Sequence, residues 1–313
     1  MKFQKPKFWD YKKPSFLSYL LLPFTFPLII NNFFLGFKTK KISYSKIKKI
    51  CVGNIYVGGT GKTPLVIKIY QILNQLNFKT AVIKKFYKGH IDEQKILEEN
   101  TKLYCLKDRV SGLNEAIKDN NSVVIFDDGL QDSSINYDLS IVCFNNIKWI
   151  GNGLLLPAGP MREKINSISK YDVAFINGNE TDTTNLKSLI NKYNKNIKFF
   201  DAYYFPTNTE EFDITKKYII FSGIGNPETF RDTLVKNKFN IIKEIIFPDH
   251  HSYTQIDIDK IKLQAKKLNA NIITTEKDYV KINSNEDDEI RFLKIELKVK
   301  NEADLISYLR LSI

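Results

Sequence analysis

The run "VGNIYVGGTGKTPL" (52–65) places Gly58, Gly59 and Gly61 just ahead of Lys62, Thr63 and Pro64. Glycines so arranged let backbone N–H groups close on an anion that a Cβ would hold away. A lysine at the next position neutralises phosphate charge, and a threonine hydroxyl after it reaches a divalent cation. Val57, Gly58, Gly59, Thr60, Gly61, Lys62, Thr63 and Pro64 are therefore the candidate cradle for a nucleotide's phosphates. The spacing departs from the strict loop rule, because Tyr56 stands where the first glycine belongs.

Further along, "VVIFDDGLQD" (123–132) sets Asp127 and Asp128 at the end of an apolar run. Ligands of parallel sheets bind beyond the carboxyl ends of the strands, so either acid suits a metal-directing role. Asp-Asp-Gly is also good turn chemistry, and only the upstream loop tips the balance. "GNGLLLPAGPMRE" (151–163) ends in Arg162 and Glu163. The arginine is placed to stabilise charge on a transferred phosphoryl group, and the glutamate to assist the metal. Two of the three histidines, His250 and His251, are adjacent in "FPDHHSY" (247–253). Asp-His pairs polarise hydroxyls or position a base, and spacing does not separate the two histidines.

These residues need rigid elements behind them. "KICVGNI" reads as a short strand before the loop, and Leu65, Ile69, Ile72, Leu73 and Leu76 recur at helical spacing after it. Further strands are expected at 80–85, 122–128, 138–144, 172–177, 216–225, 240–247 and 271–278, alternating with helical segments. The pattern predicts an α/β protein: a P-loop-type α/β/α domain with a parallel sheet, and a second, smaller α/β domain. A polar stretch at 177–185 suggests the boundary. The expected division is an arm (1–40), the phosphate-loop domain (41–180) and a second lobe closing over the active site (181–313).

The chain has 313 residues, a net charge of +12 and three scattered cysteines, Cys51, Cys105 and Cys143. Each cysteine lies in an apolar run, which suits small core residues in a reducing compartment. The charge is concentrated: the first fifty residues hold eleven lysines against one acid, Asp10. Elsewhere it is close to balanced, so a nucleic-acid partner is not expected. Between the two lysine clusters, residues 14–37 carry no charge. That length can span a bilayer, but Pro23, Pro27, Asn31 and Asn32 interrupt it and lysines flank both ends. A helical anchor lying on an anionic membrane surface is the favoured reading, against an arm packed on its own domain.

Taken in order, "VGNIYVGGTGKTP", "DDGLQ", "GNGLLLPAGPMRE", "SGIGNPETF" (222–230), "FPDHHSY" and "TTEKD" (274–278) resemble the tetraacyldisaccharide 4′-kinases of lipid A biosynthesis. The resemblance covers nearly the whole chain. It implies two α/β/α lobes, an N-terminal membrane-binding helix, and transfer of the γ-phosphate of ATP to the 4′-hydroxyl of a tetraacyl disaccharide 1-phosphate. Lys62 and Thr63 would hold ATP and Mg²⁺, with Asp127 or Asp128 near the metal. The family's general base maps onto Asp92 of "GHIDEQKIL", assisted by a histidine of "DHH". The implied partners are the membrane-embedded acylated substrate and anionic inner-leaflet lipids. The implied location is the cytoplasmic face of the bacterial inner membrane, peripheral or single-helix anchored.

Two departures stand out. Many members read Ser-Arg-Gly-Tyr-Gly-Gly where this chain has "KKFYKG" (84–89), and a histidine usually follows "DDGLQ" where Asp132 stands. They are the only support for a catalytically degenerate homologue. A membrane-associated partitioning-type ATPase is the other rival; it calls for a second lysine early in the loop, where the chain has Val57-Gly58-Gly59.

Overall fold

Strands that are apolar on both faces must be covered on both, and alternating helices provide the cover. The computed structural model describes residues 5–35, 47–178, 182–282 and 289–313. In chain order, α1 (Phe16–Leu21) and α2 (Phe26–Leu35) precede β1 (Lys48–Gly53), α3 (Lys62–Gln75), β2 (Thr80–Lys85), α4 (Ile91–Asn100), β3 (Leu103–Leu106), α5 (Arg109–Lys118), β4 (Val123–Asp127), β5 (Leu139–Asn145) and β6 (Val173–Asn177). Then come α6 (Thr184–Asn191), β7 (Lys198–Pro206), β8 (Lys217–Ser222), α7 (Pro227–Lys236), β9 (Asn240–Ile246), α8 (Gln255–Leu268), β10 (Asn271–Thr275), α9 (Glu276–Tyr279), β11 (Ile290–Leu293), β12 (Ile295–Val299) and α10 (Glu302–Ser312).

The described residues form two compact units: 5–86, 97–203 and 298–313 in the larger, 87–96 and 204–297 in the smaller. An eight-stranded sheet runs β12-β7-β6-β5-β1-β4-β2-β3, and a four-stranded sheet runs β11-β10-β8-β9. β1 pairs in parallel with β4 on one side and β5 on the other. From β1 the chain crosses to β2 and the edge strand β3, comes back to β4 beside β1, and then builds the opposite side with β5 and β6. β1 therefore ends at a switch point, and ligands of such sheets bind beyond the carboxyl ends of the strands there. The polar stretch 177–185 lies between β6 and α6. Because β6 and β7 pair side by side (Asn177 beside Ala202), the first sheet continues past it, and the chain parts at 203–204.

Core packing follows the strand periodicity. Cys51, Ile83, Val124 and Phe126 pack with Leu113 and Ala116 of α5 on one side of the large sheet. Ile55, Val142, Phe144 and Ile176 pack with Leu186 and Ile190 of α6 in another cluster. Cys51 and Cys143 are buried, as expected; Cys105, on the edge strand β3, is half-buried. In the smaller unit, Ile219, Phe221 and Ile272 pack on Ile258 and Ile261 of α8. The expected strand 271–278 stops at Thr275, whose side chain accepts from the Asp278 N–H and starts α9. The sequence "TTEKD" is thus a strand end, an N-cap and a helical turn.

Within the uncharged segment 14–37, the described residues form two short helices, not one long one. Ser15 caps α1 in a capping box with Ser18, and a 3₁₀ turn over Leu22–Thr25, with Pro23 near its start, separates it from α2. Among the described residues no helix is long and apolar enough to cross a membrane. One side of the arm packs on the larger unit: Trp9, Ser18 and Thr25 are buried, and Leu28 and Ile29 lie against the cluster around Ile55. Phe16 is nevertheless 81% exposed, Leu20 60% and Phe24 65%. Of the flanking lysines, Lys2, Lys38, Lys40, Lys41 and Lys46 lie outside the described residues.

Candidate functional site

The phosphate loop connects the switch-point strand β1 to α3. Gly58 (φ +118°) and Gly61 (φ +85°) take the left-handed conformations for which the sequence supplies glycine. Gly61 is the N-cap of α3, so Lys62 and Thr63 open the helix and its first N–H groups face the loop's concavity. Asn54 is fully buried inside the loop, donating to the Gly58 carbonyl at 3.3 Å and to Thr60 Oγ1 at 3.0 Å. Tyr56, the residue that breaks the loop rule, is no part of the cradle. Its ring is buried in the core, its backbone bridges to Met161, and its hydroxyl meets Asp10 and Lys5 of the arm.

"DDGLQ" acquires a reason for each residue. Asp127 closes β4, buried, in an ion pair with the buried Lys84 of β2. Asp128 turns into the left-handed region at φ +56° while its N–H donates to the Val52 carbonyl. Leu130 crosses Gly53 so closely that a Cβ there would meet it at 2.6 Å. Gln131 donates to the Asn54 carbonyl at 3.0 Å and to Glu163 at 2.7 Å. Asp128 takes both bonds from Arg162 Nη1, at 2.8 and 3.0 Å, and lies 3.6 Å from Lys62 Nζ. Burial works against its charge, but Lys62, Arg162 and Lys84 overcome it and hold the carboxyl at about 2. Glu163 also accepts from the Tyr171 hydroxyl at 3.0 Å. Asp132, one of the two departures from the family pattern, pairs with the buried Arg109 at 3.1 Å. This departure is a different way to seat the loop, and it leaves the carboxylates untouched.

"GNGLLLPAGPMRE" is less a free loop than a bracket. Val57 N–H donates to the Pro160 carbonyl and Arg162 N–H to the Ile55 carbonyl, which ties the segment to the phosphate loop's shoulder. Its other side holds the arm. Asn152 donates to Ser18 Oγ and to the Ala158 carbonyl, both at 3.0 Å, and its N–H donates to the Trp9 carbonyl at 2.9 Å. Trp9 Nε1 donates to the Pro157 carbonyl at 3.0 Å. A Cβ on Gly151 would lie 2.2 Å from that Trp9 carbonyl, and one on Gly159 would lie 2.1 Å from Asn152 Oδ1. Composition alone does not signal this role for the glycines.

The remaining candidates gather in the smaller unit. Asp92, in the first turn of α4, is 2% exposed. Both of its oxygens lie 3.1 Å from His250 Nδ1, which donates to them. Lys277 Nζ is 3.6 Å and Lys281 Nζ 3.7 Å from the same carboxylate. Burial opposes the charge, but the His250 bond and the two ammonium groups keep the carboxyl at about 2. Lys277 also faces Glu93 at 3.4 Å and Asp249 at 3.6 Å, and these acids outweigh its burial and hold it protonated. His251 takes a separate part: it stacks on Phe247 and bonds Asp257, the acid that completes the capping box of α8. Of the two histidines, only His250 meets Asp92. Lys84, Arg109, Lys277 and Lys281 were not among the sequence's candidates; the lysine pair that ends the apolar "TAVIKK" is the one local sign among them.

Comparisons with known proteins give the family. The family model for tetraacyldisaccharide-1-P 4′-kinase matches residues 19–313. The tetraacyldisaccharide 4′-kinase of Pelagibacter ubique is 51% identical over 310 residues, spanning 99% of this chain and 98% of that protein. The enzyme of that name from Rickettsia bellii is 35% identical, spanning 96% of both chains. Among solved structures, LpxK from Aquifex aeolicus, crystallised with ATP, shares the fold with a TM-score of 0.70 at 22% identity, covering 95% of this chain and 99% of that one. With the match running over nearly its whole length, the chain belongs to the tetraacyldisaccharide-1-P 4′-kinase family.

Proposed function

We propose that the chain transfers the γ-phosphate of ATP to the 4′-hydroxyl of a tetraacyl disaccharide 1-phosphate, giving lipid IVA in lipid A biosynthesis. Family membership supports the reaction. The observation that carries the site is the left-handed Gly61 heading α3 at the switch point, with Asp127 ending the neighbouring strand and Asp128 just beyond it.

The loop's N–H groups and Lys62 bind the donor's phosphates. The residues fit Mg²⁺: Asp128 is ionised, and the buried Asp127 Oδ1 has no hydrogen-bond partner among the described residues. With Thr63 and Glu163 they make an all-oxygen donor set, which that hard cation prefers. Bound there, Mg²⁺ would neutralise charge on the β- and γ-phosphates. Arg162, fixed by Asp128, adds a cation beside the transferred group.

Asp92 takes the proton of the acceptor hydroxyl as its oxygen bonds to the γ-phosphorus and ADP departs with the electron pair of the broken P–O bond. A carboxylate of low pKa suffices because the transition state is loose and the proton moves late. His250 orients Asp92, and Lys277 and Lys281 hold it ionised, so their part is positioning.

The acceptor's acyl chains lie in a membrane, and the exposed Phe16, Leu20 and Phe24 support peripheral attachment of the arm to the anionic cytoplasmic face of the inner membrane. The test is incubation with γ-labelled ATP, Mg²⁺ and tetraacyl disaccharide 1-phosphate in detergent, beside Lys62→Ala. Label in the lipid from the unaltered chain alone supports the reading; ATP hydrolysis without labelled lipid overturns the acceptor.

A further inference from the structure

Beyond the oxygen donors at the phosphate loop, the smaller unit brings together nitrogen and oxygen donors of another character. One ligating atom each from His90, Glu93 and His250 lies within 4.8 Å of the others. His250 Nδ1 is taken by Asp92 at 3.1 Å, which leaves Nε2 facing Glu93 Oε1 at 3.8 Å. His90 Nδ1 lies 3.3 Å from Glu93 Oε2, and the two imidazoles are stacked with centroids 4.3 Å apart. His90 is 40% exposed, so its ring can turn without disturbing the core.

Two features point to a metal ion rather than to a hydrogen-bond cluster alone. Ligating histidines characteristically donate their second ring nitrogen to a carboxylate, which fixes the tautomer and raises the basicity of the other. Asp92 does this for His250. Two imidazoles and one carboxylate, with room for solvent, are also the donor set of open Zn²⁺ sites, and imidazole selects transition metals over Mg²⁺. Lys277 competes for Glu93, but through Oε1, whereas Oε2 is turned to His90.

We propose that His90, Glu93 and His250 bind a divalent transition-metal ion of the Zn²⁺ type, and that the bound ion immobilises the Asp92–His250 pair and inhibits phosphoryl transfer. The inhibition rests on the reaction proposed above; the binding does not.

Untagged full-length protein, stripped with chelator, is titrated calorimetrically with ZnCl₂, and Co²⁺ absorption in the visible serves as a second probe. One equivalent should bind. His90→Gln, folded by circular dichroism, should bind at least about tenfold more weakly, whereas Lys62→Ala should bind as the unaltered chain does. Kinase rates with Mg²⁺, each relative to the same protein's rate without Zn²⁺, should fall with Zn²⁺ in the unaltered chain and resist it in His90→Gln. No saturable binding, or equal affinity in His90→Gln, overturns the site. Binding without inhibition overturns the regulatory half alone. Zn²⁺ bound normally by a protein with no lipid kinase activity would refute the reaction and leave the metal site standing.

Discussion

The phosphate loop and the Asp92 cluster both keep a carboxylate ionised inside protein, and they use different materials. Asp128 faces an arginine that chelates it through two bonds and a lysine supplied by the loop. Its neighbours are positioned by backbone: a left-handed glycine, a helix N-terminus and hydrogen bonds between main-chain segments. Asp92 is held by a histidine 158 residues away and by two lysines from α9 and the turn after it. The first arrangement is written in contiguous sequence and carries fixed charge. The second is assembled by tertiary structure around the imidazole of His250.

The largest effect expected is at the donor end. Lys62→Ala should lower kcat by about 10²–10³-fold, since a preorganised charge on the transferred group is lost; a near-normal rate would end the phosphate-loop assignment. Asp92→Asn should cost ~100-fold or more in kcat with little change in KM for ATP. An unchanged rate would show that the base lies elsewhere and that the cluster is structural. His250→Gln should cost less, roughly tenfold, and should change the pH profile of kcat, which loss of packing alone would not do.

Replacing Phe16, Leu20 and Phe24 by serine tests the arm without removing its buried Trp9 or Ser18. Vesicle affinity should drop by at least about tenfold, because each side chain inserted into the acyl boundary is worth up to ~2 kcal/mol. Equal partitioning into vesicles would refute the surface anchor. His251→Gln should leave turnover nearly intact and cost about 1 kcal/mol of stability through the weakened α8 cap, read by denaturant midpoint. A large loss of kcat there would erase the distinction between the two histidines.

The smallest effect is on acid stability. Asp128 has its carboxyl lowered from 3.8 to about 2 in the folded protein. Its stabilisation is therefore complete above the unfolded value and is lost as the pH falls through about 2. Asp128→Asn should accordingly unfold less steeply with acid over that window, followed by circular dichroism; identical acid limbs would mean that its cations do not favour the charged form.

Much of this was legible in the chain itself wherever the controlling interactions are local. Strand β2 falls at the expected 80–85, and α3 begins at Lys62, because hydrophobic periodicity, a left-handed glycine and a helix N-terminus all act within a few residues. Asp127 and Asp128 sit at a strand end for the same reason. What the sequence left open turned on distant partners. Strands β3, β7, β11 and β12 are short or half-exposed and take their identity from the neighbours they pair with. Tyr56 looked like a flaw in a motif until its ring was found in the core and its hydroxyl on Asp10.

Asp92 could be proposed from the family's pattern but not from spacing, since nothing near "GHIDEQKIL" announces that His250 will meet it. The adjacent histidines show the limit best. Their identical side chains and neighbouring positions carry no distinction, yet a left-handed backbone at His250 (φ +56°) sends it to Asp92, while His251 packs on Phe247 and bonds Asp257 of the α8 capping box. Local sequence determined which residues could do chemistry; only long-range packing, which fixes where each side chain ends, decided which of them would meet.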